Sequence, residues 1–527
     1  MRHTKKIVTS LLATSMLLAG CGDAPDKKSA SEDATEYPDA IELQEGFDPD
    51  GHFDFGAGSF GASWDPIEST TGGDIAFYLP VYDRLFQMKP DTSIEPMLAT
   101  GYEAAEDGTS MTITLRDGVK FSDGTPLDAD AVKFNIERII SEDSKISGEI
   151  PMVTGAEVID PLTVKLNVSG EMGALLPGLT FRAGIMVSPK AVKAGTLPSQ
   201  PVGVGPYVVT DSVPGDHADF ERSADYWEPE AQNVATMTYH SILDAQTRIN
   251  ALQTGEMDGI RLGPEQFTSA AQMGFDVISM PGTTFTYMMF NTEYEPFDDP
   301  AVRIALNYAV DRVGIADGLF EGNCTPQIQP VPEGSMGYSE KIGDGLDIWP
   351  YDPEKAKELL AEAGVKDVSI TAMSTNISTY QKVAEVVQQN LIDVGIEVNL
   401  SVVPNEQVLD QFAISKTAEA NFTAYSGIPE PNAVVARYLT PGAVYNPGNT
   451  TSQELLDLAS KAATPVDPEE RDALYEDFID AWIEEPPHFT PICMMHNGAA
   501  FNDNVSGVSE HPTVGGTDLR YVAVAPE

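Results

Sequence analysis

The sequence predicts a mixed α/β protein of two or three domains, and three observations carry this prediction. The chain has 527 residues, which is too long for one ordinary hydrophobic core. Short runs of β-type alternation are interleaved with segments of helical periodicity along the whole chain. A hydrophobic fraction of 42 % and a mean hydropathy of −0.16 are typical of a soluble globular protein.

The first clear strand is followed closely by the first clear helix. Residues 112–115 (TITL) alternate polar and apolar side chains, as a half-buried strand does. Gly118 and Gly124 mark the turns after it. Asp128 is placed to cap the N-terminus of the next helix. The apolar positions of that helix are Val132, Phe134, Ile136, Ile139 and Ile140.

Two further helices and a strand are predicted after residue 350. One helix begins with Asp352 as its N-cap and Pro353 at its first position, and it ends at Gly364. The other runs from about residue 380 to 394 and ends at Gly395. A strand follows directly, with apolar side chains at Ile396, Val398 and Leu400.

The net charge disfavours several kinds of partner. The chain carries 31 Lys+Arg against 81 Asp+Glu, a formal net charge of −50. Such a surface repels phosphate backbones and anionic lipid headgroups, so nucleic-acid binding and electrostatic adhesion to a membrane are not expected. A salt-rich habitat would give the same balance, so the charge excludes partners better than it identifies one.

The N-terminus has the features of a bacterial lipoprotein signal peptide. A basic start is followed by the apolar run 7–18, whose 12 residues are fewer than the about 20 that span a bilayer. The run ends in Leu18-Ala19-Gly20-Cys21, which matches the lipobox. The other interpretation is a chance run of small residues before a stray cysteine. We predict that residues 1–20 are removed and that the Cys21 thiol carries a lipid.

A tether is predicted after the lipidated cysteine. Residues 22–40 are rich in Ala, Ser, Asp, Lys, Glu and Pro and hold almost no large apolar side chain. Such a segment cannot bury enough surface to fold, so we assign residues 21–49 to a flexible tether. No later apolar run reaches 18 residues, so the chain is not expected to form a membrane channel.

Motifs for catalysis or cofactor binding are weak. Residues 56–61 (GAGSFG) fit the dinucleotide fingerprint, but that motif needs a helix to open at once, and Trp64-Asp65-Pro66 follows instead. The same stretch is one glycine short of a hydrolase nucleophile elbow, and the seven histidines stand in no triad context. We therefore predict no catalytic residue and no cofactor.

No metal site is predicted either. The chain has three cysteines and neither a C-x-x-C nor an H-E-x-x-H motif. His488 and His496 flank Cys493, which leaves a weak alternative of a soft-ligand cluster. The Asp128-x-Asp130 pair is explained by the helix cap. The Asp48–Gly51 stretch lacks the ligands of a calcium loop.

Five segments, in the same order along the chain, resemble the family 5 extracellular solute-binding proteins. The most specific is TLRDGVKFSDGTPL at residues 114–127. The other four are PVGVGPY (201–207) with ER (221–222) and DYW (225–227), MFNT (289–292) with PFDD (296–299), VRIALNYAVDR (302–312), and YDPEKA (351–356). The resemblance covers essentially the whole chain beyond the tether.

The resemblance implies a bilobal, periplasmic-binding-protein-like flytrap fold with an extra inserted domain and a two-strand hinge. The chain would cross between lobes near residues 285–291 and 487–491. The domains would be domain I at 50–74, 196–283 and 490–527, domain II, the insertion, at 75–195, and domain III at 284–489.

The resemblance also implies a function. The protein would be an extracytoplasmic substrate-binding lipoprotein of an ABC importer, at the cell surface or in the periplasm. It would act as a monomer, with the permease and ATPase subunits as partners and the membrane reached through the lipid. Its solute would be a peptide or a peptide-like molecule, although relatives also take sugars, opines and metal chelates. The alternative from another class, a secreted lipoprotein hydrolase, needs a nucleophile or metal site that the sequence does not provide.

The candidate binding residues follow from the same resemblance. Tyr425-Ser426-Gly427 occupies the cleft-lining loop where relatives usually carry Trp, whereas Asp225-Tyr226-Trp227 is a structural element. The predicted contacts are Trp64, Phe285, Tyr287, Asn291, Tyr425, Ser426 and Glu430.

The usual anchor for a peptide ammonium group is missing from that loop. Peptide-binding relatives place an aspartate after the Trp, whereas Ile428 or Pro429 stands there in this chain and the nearest carboxylate is Glu430. A buried ammonium without a partner is costly. Either Glu430 takes the role from a shifted position, or the ligand has no free ammonium there.

Two cysteines remain for a disulfide. Cys324 and Cys493 would both lie near the cleft in an oxidising compartment. They either form a disulfide or remain free thiols, and a bond between the lobes would restrict opening.

Overall fold

The computed structural model describes residues 37–526 except 59, 60, 62, 367, 428, 429, 444, 514 and 515, and leaves the side chains of residues 405, 406 and 409 undescribed. The strands are β1 (Ala40–Ile41), β2 (His52–Ala57), β3 (Phe86–Met88), β4 (Ile94–Pro96), β5 (Ala99–Ala104), β6 (Ser110–Leu115), β7 (Val153–Asp160), β8 (Thr163–Val168), β9 (Tyr207–Val213), β10 (His217–Arg222), β11 (Thr236–Ser241), β12 (Gly259–Arg261), β13 (Asp276–Phe290), β14 (Cys324–Pro326), β15 (Val368–Thr375), β16 (Ile396–Val403), β17 (Ala420–Tyr425), β18 (Phe489–Phe501), β19 (Val505–Ser506), β20 (Val508–Glu510), β21 (Thr517–Asp518) and β22 (Ala523–Val524).

The helices lie between these strands. They are α1 (Ile75–Tyr78), α2 (Ala129–Ile139), α3 (Leu175–Leu179), α4 (Pro189–Ala194), α5 (Ala245–Thr254), α6 (Phe267–Gln272), α7 (Pro300–Ala309), α8 (Arg312–Phe320), α9 (Pro353–Glu362), α10 (Ser378–Asp393), α11 (Asn405–Val408), α12 (Pro431–Val434), α13 (Gln453–Ala463) and α14 (Pro468–Glu484). Two π-helical turns, Leu409–Ile414 and Val435–Leu439, continue α11 and α12.

Two long antiparallel strands join the halves of the molecule. In the largest sheet the order is β16-β15-β17-β13-β18-β12-β2-β11-β10-β9. The register of the β13–β18 pair breaks between Pro281 and Phe285. On one side of the break β12 and β2 extend the sheet, and on the other side β17 and β15 do. The molecule therefore has two lobes connected by β13 and β18.

The break lies somewhat away from the crossing that the resemblance implied. Residues 285–289 of β13 already pair with β17, and residues 489–494 of β18 pair with the same part of β13. The connection between the lobes is therefore at residues 281–285 and 494–496. The implied crossings at 285–291 and 487–491 lie inside the second lobe.

The first lobe holds three hydrophobic cores. Core 1 packs the four-stranded sheet β5-β6-β8-β7 against α2. Core 2 lies under β2, β10 and β11 and includes Trp64 and Phe220. Core 5 packs α5 and α6 against β12 and β13.

The second lobe holds two cores on opposite faces of β13 and β17. Because side chains alternate along a strand, Phe285 and Tyr287 point into core 4, and Met288 and Phe290 point into core 3. Core 3 is covered by α7 to α10, and core 4 is covered by α12 to α14.

The elements predicted from periodicity and caps are confirmed. The helix after Asp128 is α2, and the Asp128 carboxylate accepts the Ala131 N–H at 2.9 Å. The helix after Asp352 is α9, and its cap accepts the Lys355 N–H at 2.9 Å. Gly395, which ends the next helical segment, has φ +95°, a value that favours glycine.

The predicted tether is too long at its C-terminal end. Ala40 and Ile41 pair with Val508 and Ser509 of β20, and the Tyr37 ring packs edge-on against Phe267. The segment from residue 37 onward is thus attached to the first lobe, because Tyr37 and Ile41 do supply the apolar surface that residues further upstream lack. Cys21 and the predicted signal peptide lie outside the described residues. In the described part of the chain, no helix is long and apolar enough to cross a membrane.

Two local motifs have structural explanations. Strand β2 ends at Ala57, and the next helical turn among the described residues is the short 3₁₀ segment at Pro66–Glu68. The described residues of the glycine-rich stretch therefore do not begin the helix that a dinucleotide motif needs. Tyr226 and Trp227 donate to the buried Asp83 carboxylate at 2.8 and 2.6 Å, and Arg520 pairs with the same carboxylate. The DYW segment therefore holds the first lobe together.

Candidate functional site

The two lobes meet along a line that we call the closure seam, formed by Gly72, Phe181 and Arg182 of the first lobe and by Tyr425 and Ser426 of the second. A β-carbon built on Gly72 would lie 3.6 Å from the Ser426 carbonyl oxygen and 3.4 Å from the Phe181 ring. The loop of the second lobe therefore lies within contact distance of the first lobe at Gly72.

The seam loop is fixed to the start of the second-lobe part of β13. The Thr283 hydroxyl donates to the Gly427 carbonyl oxygen at 2.6 Å, and the hydroxyls of Thr284 and Ser426 are 3.2 Å apart. Since Thr283 and Thr284 lie at the register break, the loop is attached to the strands that connect the lobes. Residues 428 and 429, where the resemblance expected an aspartate, lie outside the described residues.

Aromatic side chains of the second lobe pack against Tyr425 at the start of the loop. The Tyr425 ring stacks on Phe285 at 4.9 Å between centroids, and Tyr438 lies 5.7 Å from Tyr425 and 5.8 Å from Tyr287. Burial raises the pKa of Tyr425, so its hydroxyl stays protonated. Three of the predicted contacts, Phe285, Tyr287 and Tyr425, are thus brought together, with Ser426 beside them.

The first-lobe side of the seam carries a paired arginine. Arg182 Nη2 lies 2.6 Å from a Glu149 carboxylate oxygen, and its Nη1 donates to the Ser69 hydroxyl at 2.8 Å. Ser69 in turn donates to Asp74 at 2.6 Å. Burial raises the pKa of Glu149, and the Arg182 charge opposes that rise. Arg182 is thus paired with Glu149 and is linked to Asp74 through the Ser69 hydroxyl.

Glu430 is engaged inside the second lobe. Its side chain is 3 % exposed, forms an ion pair with Arg471 and accepts the Tyr475 hydroxyl at 2.9 Å. Burial acts to lower the pKa of Arg471, and the contacts with Glu430 and Tyr475 together raise it above its ordinary value. A carboxylate held in this way has its charge compensated already.

Two other predicted contacts lie away from the seam loop. Trp64 is 3 % exposed in core 2, with its ring 3.8 Å from Phe77 and its N–H directed to the Ser212 hydroxyl. Asn291 follows the far end of β13, six residues beyond Phe285, which is about 20 Å along a strand. Its side chain is fully buried and accepts the Glu293 N–H at 3.0 Å.

The sequence analysis missed a group of residues beside the loop. Arg437 lies in the π-helical turn Val435–Leu439, and its guanidinium carbon is 5.3 Å from the Tyr445 ring centre and 5.8 Å from that of Tyr438. The sequence offered no distinctive signal for it, because arginines also lie over aromatic rings elsewhere in the protein, as Arg520 does over Tyr226 and Trp227.

The lobes also touch at a second place, far along the chain from the loop. The backbone N–H of Gly173, in the first lobe, donates to the Thr464 carbonyl oxygen at 3.3 Å. Ala463, at the end of α13, packs into core 1, and Val466 lies against it. The structure therefore represents the molecule with its lobes in contact.

The cysteines and nearby histidines do not form a metal site. Cys324 and Cys493 are joined as a disulfide with 5.5 Å between their Cα atoms. Both belong to core 3, so the bond lies within one lobe and does not link the two lobes. Burial lowers the pKa of His488 and of His496 to about 4. His488 donates to the Tyr445 carbonyl oxygen, and His496 lies 2.9 Å from the Thr325 hydroxyl.

One other group in the described part of the chain has atoms spaced for a metal ion. It consists of Asp211, His217 and Asp219 on the β9–β10 hairpin at the edge of the large sheet. Asp211 is exposed and the other two are partly exposed. The carboxylates raise the pKa of His217, with Asp216 the largest influence. A surface cluster of acids around a histidine explains this geometry without an ion.

Comparison with known proteins identifies the architecture. The family model "Bacterial extracellular solute-binding proteins, family 5 Middle" matches residues 93–446. The glutathione-binding protein GsiB of Salmonella paratyphi A is 30 % identical over 477 residues, covering 87 % of this chain and 92 % of that protein. The GsiB of Escherichia coli K12 is 29 % identical over 475 residues, with the same shares of each chain covered.

Solved structures agree with this result. The PBP AgaA from A. tumefaciens R10, in complex with agropinic acid, is similar with a TM-score of 0.78 and 26 % identity over 90 % of this chain and 99 % of that chain. DppA from Helicobacter pylori, in complex with the peptide STSA, has a TM-score of 0.77 and 24 % identity over 91 % and 99 % of the two chains. The fold is thus that of the periplasmic binding proteins.

Proposed function

The chain belongs to the family 5 bacterial extracellular solute-binding proteins, and we propose that it is the substrate-binding component of an ABC importer, capturing a peptide or peptide-like solute for the membrane permease. The observation that carries the proposal is the closure seam, where a loop of one lobe meets the other beside the two connecting strands. Lobes joined in this way can bury a ligand and be held closed by its preference for that state.

The solute class is supported by the relatives. The curated relatives are named for glutathione, and the solved structures hold a peptide and an opine. These ligands are small, polar and rich in carboxylate and amide groups. A non-peptide solute such as a sugar, an opine or a metal chelate is the second candidate, because the fold accommodates it equally well. The family consists of solute-binding proteins and not of enzymes, so the hydrolase alternative is withdrawn.

The domain division is also part of the proposal. It keeps domain I at 50–74 and 196–283, domain II at 75–195 and the start of domain III at 284. The last boundary is shifted from residue 490 to 494–496, because residues 489–494 of β18 pair with the second-lobe part of β13. The separate core 1, between the β5–β8 sheet and α2, supports an inserted unit. The register break at 281–285 supports a hinge near the end of the second segment of domain I.

The site of action is extracytoplasmic, and the proposal adds a lipid anchor on Cys21. Two or three acyl chains, at about 0.8 kcal/mol per buried methylene, would hold the body at the membrane. Cys21→Ala should then leave an uncleaved precursor or a differently processed form. Normal mature size with full membrane retention would contradict the anchor.

The small solute that co-purifies with the protein tests the transport role. We expect mass spectrometry of untagged, natively expressed protein to identify a small solute released on unfolding, and calorimetry to measure its rebinding. Deletion of the coding gene should abolish uptake of that solute by cells. A protein that retains nothing and binds none of a broad panel of peptides, opines, sugars and chelates would contradict the proposal.

A further inference from the structure

The lobes touch at a third place, where a turn of the first lobe meets helix α10 of the second. The Thr379 hydroxyl of α10 donates to the Glu265 carboxylate at 2.9 Å. Glu265 belongs to the 3₁₀ turn Pro264–Gln266, which follows β12 and leads into α6. Helix α6 packs in core 5 of the first lobe, whereas α10 packs in core 3 of the second. The hydrogen bond therefore crosses from one lobe to the other.

The N-terminus of α10 lies on the edge of the second lobe that faces the first lobe. Strands β15 and β17 are parallel, and Met373 of β15 is paired with Asn421 of β17. By extension of this register, Ile377, which directly precedes α10, is level with Tyr425 at the end of β17. Tyr425 belongs to the closure seam, so α10 begins at the face where the lobes meet.

Helix α10 has no cap from its own sequence. Each of the other long helices, α2, α5, α7, α8, α9, α13 and α14, has an N-cap side chain that accepts a backbone N–H of the first turn. The N-cap position of α10 is Ile377, whose side chain makes no such bond, and the first turn holds no acidic residue. A helix N-terminus carries partial positive charge and is stabilised by a nearby carboxylate. Glu265 supplies that carboxylate from the other lobe.

The turn that carries Glu265 is ordered by contacts within the first lobe. The Gly263 N–H donates to the Gln266 side-chain oxygen at 2.9 Å. A β-carbon built on Gly263 would lie 2.7 Å from Glu265 Oε2, so the carboxylate packs closely over this glycine. Oε2 is buried and has no hydrogen-bond partner in the described part of the chain. The carboxylate is thus oriented by its own turn, with Oε1 directed to α10.

The contact between Glu265 and Thr379 lies away from the axis that connects the lobes. At the axis itself, Asn323 of the second lobe donates to the Pro264 carbonyl oxygen at 3.3 Å and accepts the His496 N–H at 3.1 Å. Thr379 follows β15, which is separated from β13 by β17, and neighbouring strands are about 4.8 Å apart, so it lies about 10 Å from β13. A rotation about the connection that opens the lobes therefore moves Thr379 away from Glu265.

From these contacts we propose that Glu265 is a positioning residue for solute capture, which caps α10 of the opposite lobe in the closed molecule and holds the lobes together around the solute. In the open molecule α10 loses this partner and the carboxylate returns to water. Closure gains a hydrogen bond to a charged group and the interaction with the helix N-terminus, which add to the preference of the solute for the closed state. The proposal rests on the proposed function and deepens it, since it concerns how the same site closes.

The test separates closure of the lobes from stability of the fold. Calorimetry measures the affinity of wild type, Glu265→Ala, Thr379→Val, the double variant and Thr379→Ser. The probes are the solute that co-purifies with the protein and a panel of di- and tripeptides. Glu256→Ala is the matched control, because Glu256 is exposed on the same lobe and its loss changes the net charge equally. The unfolding temperature without solute and the radius of gyration with and without solute are measured for each protein.

Glu265→Ala and Thr379→Val should each weaken binding about tenfold, as expected for loss of a hydrogen bond to a charged group. The double variant should bind no more weakly than either single variant, because both changes remove one interaction. Thr379→Ser and Glu256→Ala should bind as wild type does. Solute-free unfolding temperatures should stay close to that of wild type, and the two weakened variants should still become compact, at higher solute concentration.

Three results would overturn the proposal. The first is wild-type affinity in Glu265→Ala or in Thr379→Val. The second is a pair of effects that multiply in the double variant, since the two residues would then act independently. The third is a lower unfolding temperature with unchanged affinity, which would show that the contact persists in the open molecule. A wild type that neither holds nor binds any probe would instead contradict the proposed function, and with it the role of Glu265 in capture.

Discussion

At the scale of single residues, Glu430 decides between the two possibilities that the sequence left open. Its carboxylate is compensated by Arg471 and Tyr475 inside core 4. Recruiting it for a ligand ammonium would leave the Arg471 charge buried and unpaired, which is costly. The observed geometry therefore favours a solute that does not depend on an ammonium anchor at Glu430.

Replacing Glu430 by Gln should accordingly affect stability and leave ligand selectivity unchanged. Removing one partner of a buried ion pair costs about 3–5 kcal/mol of unfolding free energy, which urea denaturation would measure. Calorimetry with free and N-acetylated peptides should give the same ratio of affinities for variant and wild type. The double variant Glu430→Leu/Arg471→Leu should recover part of the lost stability. Loss of free-peptide binding with stability unchanged would show that Glu430 is a ligand contact.

Glu510 provides a prediction on pH dependence. Its side chain is fully buried, Oε1 accepts the Thr517 hydroxyl at 2.7 Å, and Oε2 has no hydrogen-bond partner among the residues that the structure describes. Burial raises the pKa of Glu510 from 4.5 to about 7. The folded state thus holds the proton more tightly than the unfolded state. The associated stability is present below pH 4.5 and is lost as the pH rises to 7.

The unfolding free energy lost over this pH range is about 3 kcal/mol, because a pKa difference of one unit between the folded and unfolded states corresponds to about 1.4 kcal/mol. Glu510→Gln should be more stable than wild type above pH 7 and should lack this decline. The unfolding free energies of Glu510→Gln and wild type are measured by urea titration from pH 4 to 8. Their difference separates the contribution of Glu510 from that of the other titrating groups. Curves that stay parallel over this range would contradict the assignment.

At the scale of the elements, the disulfide strengthens one lobe. Cys324 on β14 and Cys493 on β18 are 169 residues apart and both face core 3, on the opposite side of β13 from Phe285. The chain-entropy model gives about 5 kcal/mol for a loop of this length, as an upper figure. Because both halves of the bond lie in the second lobe, it does not restrain opening.

The variant Cys324→Ala/Cys493→Ala should therefore melt at a lower temperature and bind the solute as wild type does. Mass mapping of the oxidised wild type should find the cross-linked peptide pair. Two free thiols in folded, oxidised protein would contradict the pairing, and a loss of affinity without a loss of stability would contradict the stated role.

Helices and strands with clear local signals could be predicted from the sequence. Of the seam, the loop residues Tyr425 and Ser426 were predicted through the resemblance, and the first-lobe residues were not. The helices after Asp128 and Asp352 are specified by their own caps and periodicity. Arg437 lies in a π-helical turn directly before Tyr438. The Tyr438 ring packs near Tyr287, about 150 residues earlier in the chain, and near Tyr425, about 10 residues earlier. This arrangement depends on long-range packing. Trp64 was misleading because an aromatic side chain suits a hydrophobic core as well as a ligand platform.

At the scale of the whole molecule, the two lobes approach each other closely at Gly173. A β-carbon built there would lie 1.9 Å from the Pro465 carbonyl oxygen and 2.8 Å from Arg471 of the second lobe. Contacts below 3.0 Å require something to move, and here the obstacle includes backbone. Gly173 is not among the residues with positive φ, so alanine is compatible with its local conformation. The clash therefore exists only while the lobes are in contact.

Gly173→Ala should destabilise the closed state without destabilising the open one. A solute shifts the equilibrium between the open and closed states only by its preference for the closed state. The free energy needed to close the variant is therefore subtracted from the binding free energy, and the affinity for the solute should fall at least about tenfold. Small-angle scattering should show the wild type becoming more compact on addition of the solute, and the variant doing so at higher concentration. Gly155→Ala is the control, because a β-carbon there meets no atom within 4 Å. If Gly173→Ala closes and binds as the wild type does, contact between the lobes at residues 173 and 465 is not required for capture of the solute.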